Sequence, residues 1–182
     1  MPISALDPKT ALVVIDIQHG IVGLPTVHPM ADVVANCAAL AKAFRNANQP
    51  VVLVNVAGAP AGRADAKRTL NLPPGWDELA PELDRQPSDI LVTKYTPGAF
   101  HGTGLDMQLR RRGVTQIVLC GVSTSGGVEA TARAAFEHGY NVAVAIDAAT
   151  DMVRELHDNS VQRIFPKMAE TGTTADVLAR LS

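Results

Sequence analysis

The chain has 182 residues, 47% apolar and 19% charged, with 16 basic against 18 acidic side chains and a formal net charge of −2. That length suits one domain over residues 1–182 with a sizeable core, and the composition excludes a disordered chain. The near balance of charge excludes a general attraction to nucleic acid or to an anionic membrane surface.

Residues Met1 to Lys9 lack the basic start and apolar stretch of a signal peptide. No apolar run is long enough to span a bilayer, so a cytoplasmic protein is expected. The first apolar run, Ala11 to Ile17, predicts a strand, with Asp16 near its end. Val33, Cys37, Leu40 and Phe44 then share one face of an amphipathic helix before a second strand, Val51 to Val56. Cys37, like Cys120 later, lies in an apolar periodic segment and reads as a buried free thiol.

Residues Ala57 to Asp89 break this rhythm with five prolines and the one tryptophan, Trp76. A connection of that length suits either a lid over a site or a segment packed on the sheet edge. Ile90 to Val92 predicts a third strand, followed by Lys94. Leu105 and Leu109 mark a helix that stops at Gly113, and the basic run Arg110-Arg111-Arg112 complements its dipole as a solvated end. Ile117 to Cys120 predicts the fourth strand. The glycine-rich segment Gly121 to Gly127 follows and turns into a helix that ends at His138 before Gly139. The alanines at 130, 132, 134 and 135 suit either tight packing on the sheet or a subunit interface.

Val142 to Ile146 predicts the fifth strand, with Asp147 after it. Leu156, Ile164 and Phe165 then suggest a helix running up to Pro166. Thr173 and Asp176 form a capping-box pattern for a last short helix through Leu181. Continuous Val/Ile/Leu runs between helices predict an α/β fold with a mostly parallel sheet, covered on both faces as a three-layer α/β/α sandwich.

Ligands of such sheets bind beyond the carboxyl ends of the strands, which directs attention to Asp16, Lys94, the segment Gly121 to Gly127, and Asp147. An acid inside an apolar strand needs a partner, and Lys94 is the one cation at a comparable strand end. The two suit a structural ion pair or a functional one equally well. The backbone amides of the glycine-rich turn could receive an oxyanion or carboxylate. That turn has no G-K-[ST] ending and no dinucleotide fingerprint follows Asp16, which disfavours a nucleotide-binding oxidoreductase. The histidines at 19, 28, 101, 138 and 157 show no metal-ligand spacing. His138 and His157 read as helix-surface residues, and His19 and His101 fall near the presumed crevice or in solvent.

The ordered set Asp16-Ile17-Gln18, Lys94-Tyr95-Thr96-Pro97-Gly98-Ala99-Phe100-His101-Gly102-Thr103-Gly104-Leu105, Gly121-Val122-Ser123-Thr124 through Val128-Glu129-Ala130-Thr131-Ala132, and Asp147 resembles the isochorismatase-like hydrolase superfamily over nearly the whole chain. The resemblance implies a Rossmann-like topology, a catalytic Asp16 and Lys94, and a non-prolyl cis peptide between Val122 and Ser123. The family's third catalytic residue, a cysteine, maps onto Gly127, as in isochorismatases proper, so the covalent route through a thiolate is closed. Cys120 lies within the strand, and no base activates Ser123 or Ser125.

The reaction implied is general acid hydrolysis of a small anionic substrate of the enol-ether type, in which Asp16 protonates the vinyl methylene carbon before water adds. Lys94 should lower the pKa of that acid, whereas burial, or a substrate carboxylate that engages Lys94, would raise it. An amidase-like hydrolase with a nucleophile other than cysteine and an inactive small-molecule-binding member are the other readings. Expected substrate contacts are Gln18, Leu24, Trp76, Phe100, Val122, Ser123, Gly126 and Gly127. No cofactor is expected, and no metal either, because Asn55-Val56-Ala57-Gly58 lacks the Asp and His ligands of nicotinamidases. The expected partners are a small-molecule substrate and, by resemblance, further copies of the chain in a homodimer or homotetramer.

Overall fold

The computed structural model describes residues 3–65 and 72–181. Six parallel strands form one sheet: β1 (Thr10–Ile15), β2 (Val51–Val56), β3 (Ile90–Lys94), β4 (Gln116–Val122), β5 (Asn141–Thr150) and β6 (Glu170–Gly172), in the order β3-β2-β1-β4-β5-β6. The helices are α1 (His19–Val22), α2 (Met30–Asn46), α3 (Leu105–Arg110), α4 (Glu129–Glu137), α5 (Arg154–Asn159) and α6 (Thr174–Leu178).

Alternation along the strands sorts the core into two layers. Leu12, Val14, Val118 and Cys120 face α2, whose Val33, Cys37, Leu40 and Phe44 are buried against them. Val13, Ile15, Ile117 and Leu119 face the other way, onto Leu105 and Leu109 of α3 and Val128, Ala132 and Ala135 around the start of α4. This is the expected three-layer α/β/α sandwich. Of the alanines of α4, Ala132 and Ala135 are buried on the sheet and Ala134 is partly so.

The chain leaves β1 for β2 on one side and later returns to pair β4 on the other, so the order reverses between β1 and β4. At that switch point Gly121 has φ 114°, and a Cβ there would stand 2.0 Å from the carbonyl oxygen of Ile15. Only glycine lets the two strands approach so closely. The Val122–Ser123 peptide is cis.

Several boundaries differ from the sequence expectation. β1 stops at Ile15 and not Ile17, because Asp16 takes a left-handed conformation with φ 54° that turns its side chain out of the ladder. β5 runs on to Thr150, so Asp147 lies within the strand and not beyond it. Its carboxylate accepts from the backbone nitrogen and hydroxyl of Thr174, capping α6. The expected helix from Gly127 begins as a π-helical turn, Thr124–Val128, before α4. The helix expected up to Pro166 comes in three pieces: α5, a π turn Ser160–Ile164 and a 3₁₀ turn Phe165–Lys167. The capping box of Thr173 and Asp176 is present as expected. Within the long segment 57–89, residues 66–71 lie outside the described residues.

Candidate active site

Asp16 follows β1 and Lys94 closes β3, two strands away. The lysine side chain reaches across the end of β2, and its Nζ donates to Asp16 Oδ2 at 2.7 Å and to the carbonyl oxygen of Thr96 at 3.2 Å. Both side chains are buried, 7% exposed for Asp16 and 2% for Lys94. The second carboxylate oxygen, Oδ1, is buried without a hydrogen-bond partner among the described residues. Burial therefore dominates the carboxyl group: it pushes the Asp16 pKa up to about 6 although the charge and hydrogen bond of Lys94 pull it down.

The pair lies in the wall of a cavity of about 320 Å³ that also takes in Ile21, Leu24, Val56, Trp76, Thr96, Pro97, Val122, Ser123, Gly127 and Met152. Larger cavities of about 420 and 400 Å³ lie near the amino ends of the strands, away from Asp16 and Lys94; others of about 450 and 340 Å³ lie beside Trp76 and His19 and beside the start of α2, and neither takes in the pair. Gly127 is close to the pair: a Cβ there would stand 3.4 Å from Asp16 Oδ2, 3.3 Å from the carbonyl oxygen of Val122 and 2.8 Å from Ile15 Cγ2. Neither thiol reaches this space. Cys120 is fully buried under α2, and its contact with Cys37, then burial, hold its pKa well above the ordinary range.

Of the expected substrate contacts, Leu24, Trp76, Val122, Ser123 and Gly127 line the cavity. Three do not. Gln18 is fully buried, and its amide fastens the site from behind: Nε2 donates to the carbonyls of Val56 and Trp76, and Oε1 accepts from the Val56 nitrogen. Phe100 is a core residue stacked on His138 and Tyr140. Gly126 lies behind Ser123, where a Cβ would meet the serine hydroxyl at 2.5 Å.

Trp76 rests on the backbone of Gly20, since any Cβ there would collide with the indole ring at 2.0 Å. His101 is exposed, and His19 is half exposed, 3.8 Å from Glu78. His157 is not on the helix surface. It is buried, because α5 turns that face toward the turn after β4, where its Nδ1 meets Thr124 Oγ1 at 2.9 Å.

Sequence reasoning missed two features here. Thr96 and Pro97, inside the motif after Lys94, line the cavity directly. Asp151 holds the turn after β4: its Oδ2 accepts from the nitrogen and hydroxyl of Ser125, and its Oδ1 from the nitrogens of Met152 and Val153. Its signal was an acid at the end of an apolar run, obscured because the run was cut at Ile146. Among the described residues no group of three or more His, Cys, Asp or Glu side chains could hold a metal ion, and no helix is long and apolar enough to cross a membrane.

The sequence profile described as the isochorismatase domain matches residues 10–176. YecD of Escherichia coli O157:H7, described as an uncharacterized isochorismatase family protein, is 44% identical, covering 94% of this chain and 96% of the relative. A solved isochorismatase family protein from Burkholderia thailandensis superposes with a TM-score of 0.93 at 46% identity, covering 97% of each chain. The ureidoacrylate amidohydrolase RutB of Pseudomonas syringae pv. syringae is 30% identical, covering 81% of this chain and 73% of its own. With its parallel sheet, switch-point site and match over most of its length, the chain belongs to the isochorismatase family of hydrolases.

Proposed function

We propose that the chain hydrolyses a small molecule without a thiol nucleophile, with Asp16 transferring the proton and water attacking. The observation that carries this is the carboxyl group itself. It is buried, tied to Lys94 through one oxygen only and raised to about 6, and a glycine occupies the neighbouring position that the family resemblance gives to cysteine. A group that titrates near neutrality can both give and take a proton at working pH.

In the enol-ether reading, protonated Asp16 gives its proton to the vinyl methylene carbon and the adjacent carbon becomes oxocarbenium-like. Water adds there and returns a proton to Asp16. The hemiketal then collapses to a ketone and an alcohol. Lys94, which lines the cavity, suits a small anionic substrate once that substrate's charge competes with Asp16 for the ammonium. A second reading is favoured by the amidohydrolase among the relatives. There the Asp16 carboxylate takes a proton from water as it attacks an amide carbonyl and passes it to the departing nitrogen.

The test is a panel that measures pyruvate release from isochorismate beside ammonia release from small amides. It is run on the wild type, Asp16→Asn and Lys94→Ala, each checked for its melting temperature. Activity in either arm that vanishes in a folded Asp16→Asn protein and withstands a thiol-blocking reagent supports the proposal. Full activity in Asp16→Asn, or its loss on thiol blocking, sinks it. Silence throughout, with tight binding of a small acid, points to a binding protein.

A further inference from the structure

The turn that carries Ser123 and Gly127 into the cavity is held from one side by a single short segment. Asp151 binds Ser125 through its backbone nitrogen at 2.8 Å and its hydroxyl at 2.7 Å, and the Ser160 hydroxyl donates to the Glu129 carboxylate at 2.6 Å. Between these two ties lies the third, the 2.9 Å bond joining His157 Nδ1 to the fully buried Thr124 hydroxyl. Of the three, only the last involves a group whose proton count changes in the ordinary way near neutral pH.

The same histidine also meets the other wall of the cavity. The ring of His28 stands edge-on to His157 at 4.7 Å between centroids, and His28 Nδ1 is buried with no hydrogen-bond partner among the described residues. The loop bearing His28 is tied to the end of β5 by the Val27 nitrogen on the Asp151 carbonyl and the His28 nitrogen on the Thr150 hydroxyl. Leu24, a few residues before this loop, and Met152, a few residues before His157, both line the cavity.

We propose that His157 is a positioning residue for the Asp16 site, holding the Ser123–Gly127 turn through Thr124, and that it loses this hold when its buried imidazole takes up a proton. Burial, then His28 and Arg154, disfavour a charge on His157, while Asp158 and Asp151 favour one, and the net effect lowers its pKa from the ordinary value. Asp151 already accepts from four donors. A released imidazole therefore binds a proton more readily than the held one, so acid favours the loosened turn and neutral pH the held turn.

The positioning role rests on the reading of the cavity as the active site, but its test needs no substrate. Amide hydrogen exchange of residues 123–128 and of β1 is followed from pH 5 to 8, corrected for intrinsic rates, in wild type, His157→Asn and His157→Leu. Asparagine places a neutral amide near the position of Nδ1, and leucine fills the space without a hydrogen bond. The wild-type turn should lose about tenfold in protection on the acid side while β1 holds, which is the worth of about one hydrogen bond. His157→Asn should stay protected at every pH, and His157→Leu should be weakened about tenfold at every pH.

A flat wild-type profile, a leucine variant protected like the wild type, or equal losses in β1 would overturn the proposal. Should the leucine variant fail to fold, the contrast between the pH-dependent wild type and a pH-independent asparagine variant decides. A silent substrate panel would remove the proposed chemistry and leave this result standing, whereas a flat exchange profile does the reverse.

Discussion

Two ion pairs stand at opposite ends of the sheet, one part-buried and one buried, and they are built differently. Near the amino ends of the strands, Arg45 meets Asp89 twice, Nε to Oδ1 at 3.0 Å and a terminal nitrogen to Oδ2 at 2.8 Å. The guanidinium also donates to the carbonyl of Leu83, and Asp89 Oδ2 accepts from the Gln86 nitrogen. Every oxygen of that carboxylate has a partner, which is what a pair kept for structure requires. At the carboxyl ends, Asp16 has one partnered oxygen and, among the described residues, one without a partner, and its proton affinity is raised despite a lysine 2.7 Å away. A buried acid left half-satisfied at the switch point is what the proposed role of Asp16 as a proton donor or acceptor requires.

Neutralising each acid should separate the two. Asp16→Asn keeps the shape of the side chain and should lower turnover about 10²- to 10⁴-fold, the usual worth of a positioned proton donor or acceptor. Its amide oxygen can still accept from Lys94, so the melting temperature, measured by calorimetry beside the assay, should fall but leave the protein folded at assay temperature. Asp89→Ala should act on stability alone. It strands a part-buried guanidinium, 15% exposed, and should cost about 1 to 3 kcal/mol in urea unfolding while the folded fraction keeps its kcat/KM. If the two variants fail in the same way, the contrast between the pairs is void.

A smaller effect tests the space beside Asp16. Gly127→Ala puts a methyl 2.8 Å from Ile15 Cγ2, so either the turn or β1 must shift, at a cost of about 1 to 3 kcal/mol. The same substitution made on Ile15→Ala, where that methyl is gone, should cost measurably less. Equal costs in both backgrounds would mean that Ile15 is not what reserves the position for glycine.

The sequence made the site's centre legible because its residues follow apolar runs in chain order: Asp16 after β1, Lys94 at the end of β3, and the glycine-rich turn after β4. Its supports were illegible for a physical reason. Gln18 reads as a crevice residue, yet its amide is consumed by backbone groups of Val56 and Trp76, 38 and 58 residues away, which no local pattern can reveal. On α5 the apolar signal pointed the wrong way: Leu156 is 48% exposed and its neighbour His157 is buried, because polar groups on the turn after β4 select the inward face. Phe100 fits the motif of a pocket wall but packs into the core beside Tyr140.

The pH profile of kcat/KM gives the finest discrimination, since it reports the free enzyme. If Asp16 acts as an acid, the reactive form is the protonated one, and the rate should fall about tenfold per pH unit above about 6. If it acts as a base, the reactive form is the carboxylate, and the same slope should appear below about 6. One residue and one pKa thus give opposite limbs for the enol-ether and amide readings. His157 titrates on the acid side as well, so the profile is best taken in His157→Asn, where the turn no longer carries a titrating imidazole. An inflection near 4, the ordinary range for an aspartate, would show a carboxyl group that does not feel its burial, and the distinction between the two ion pairs would fail with it.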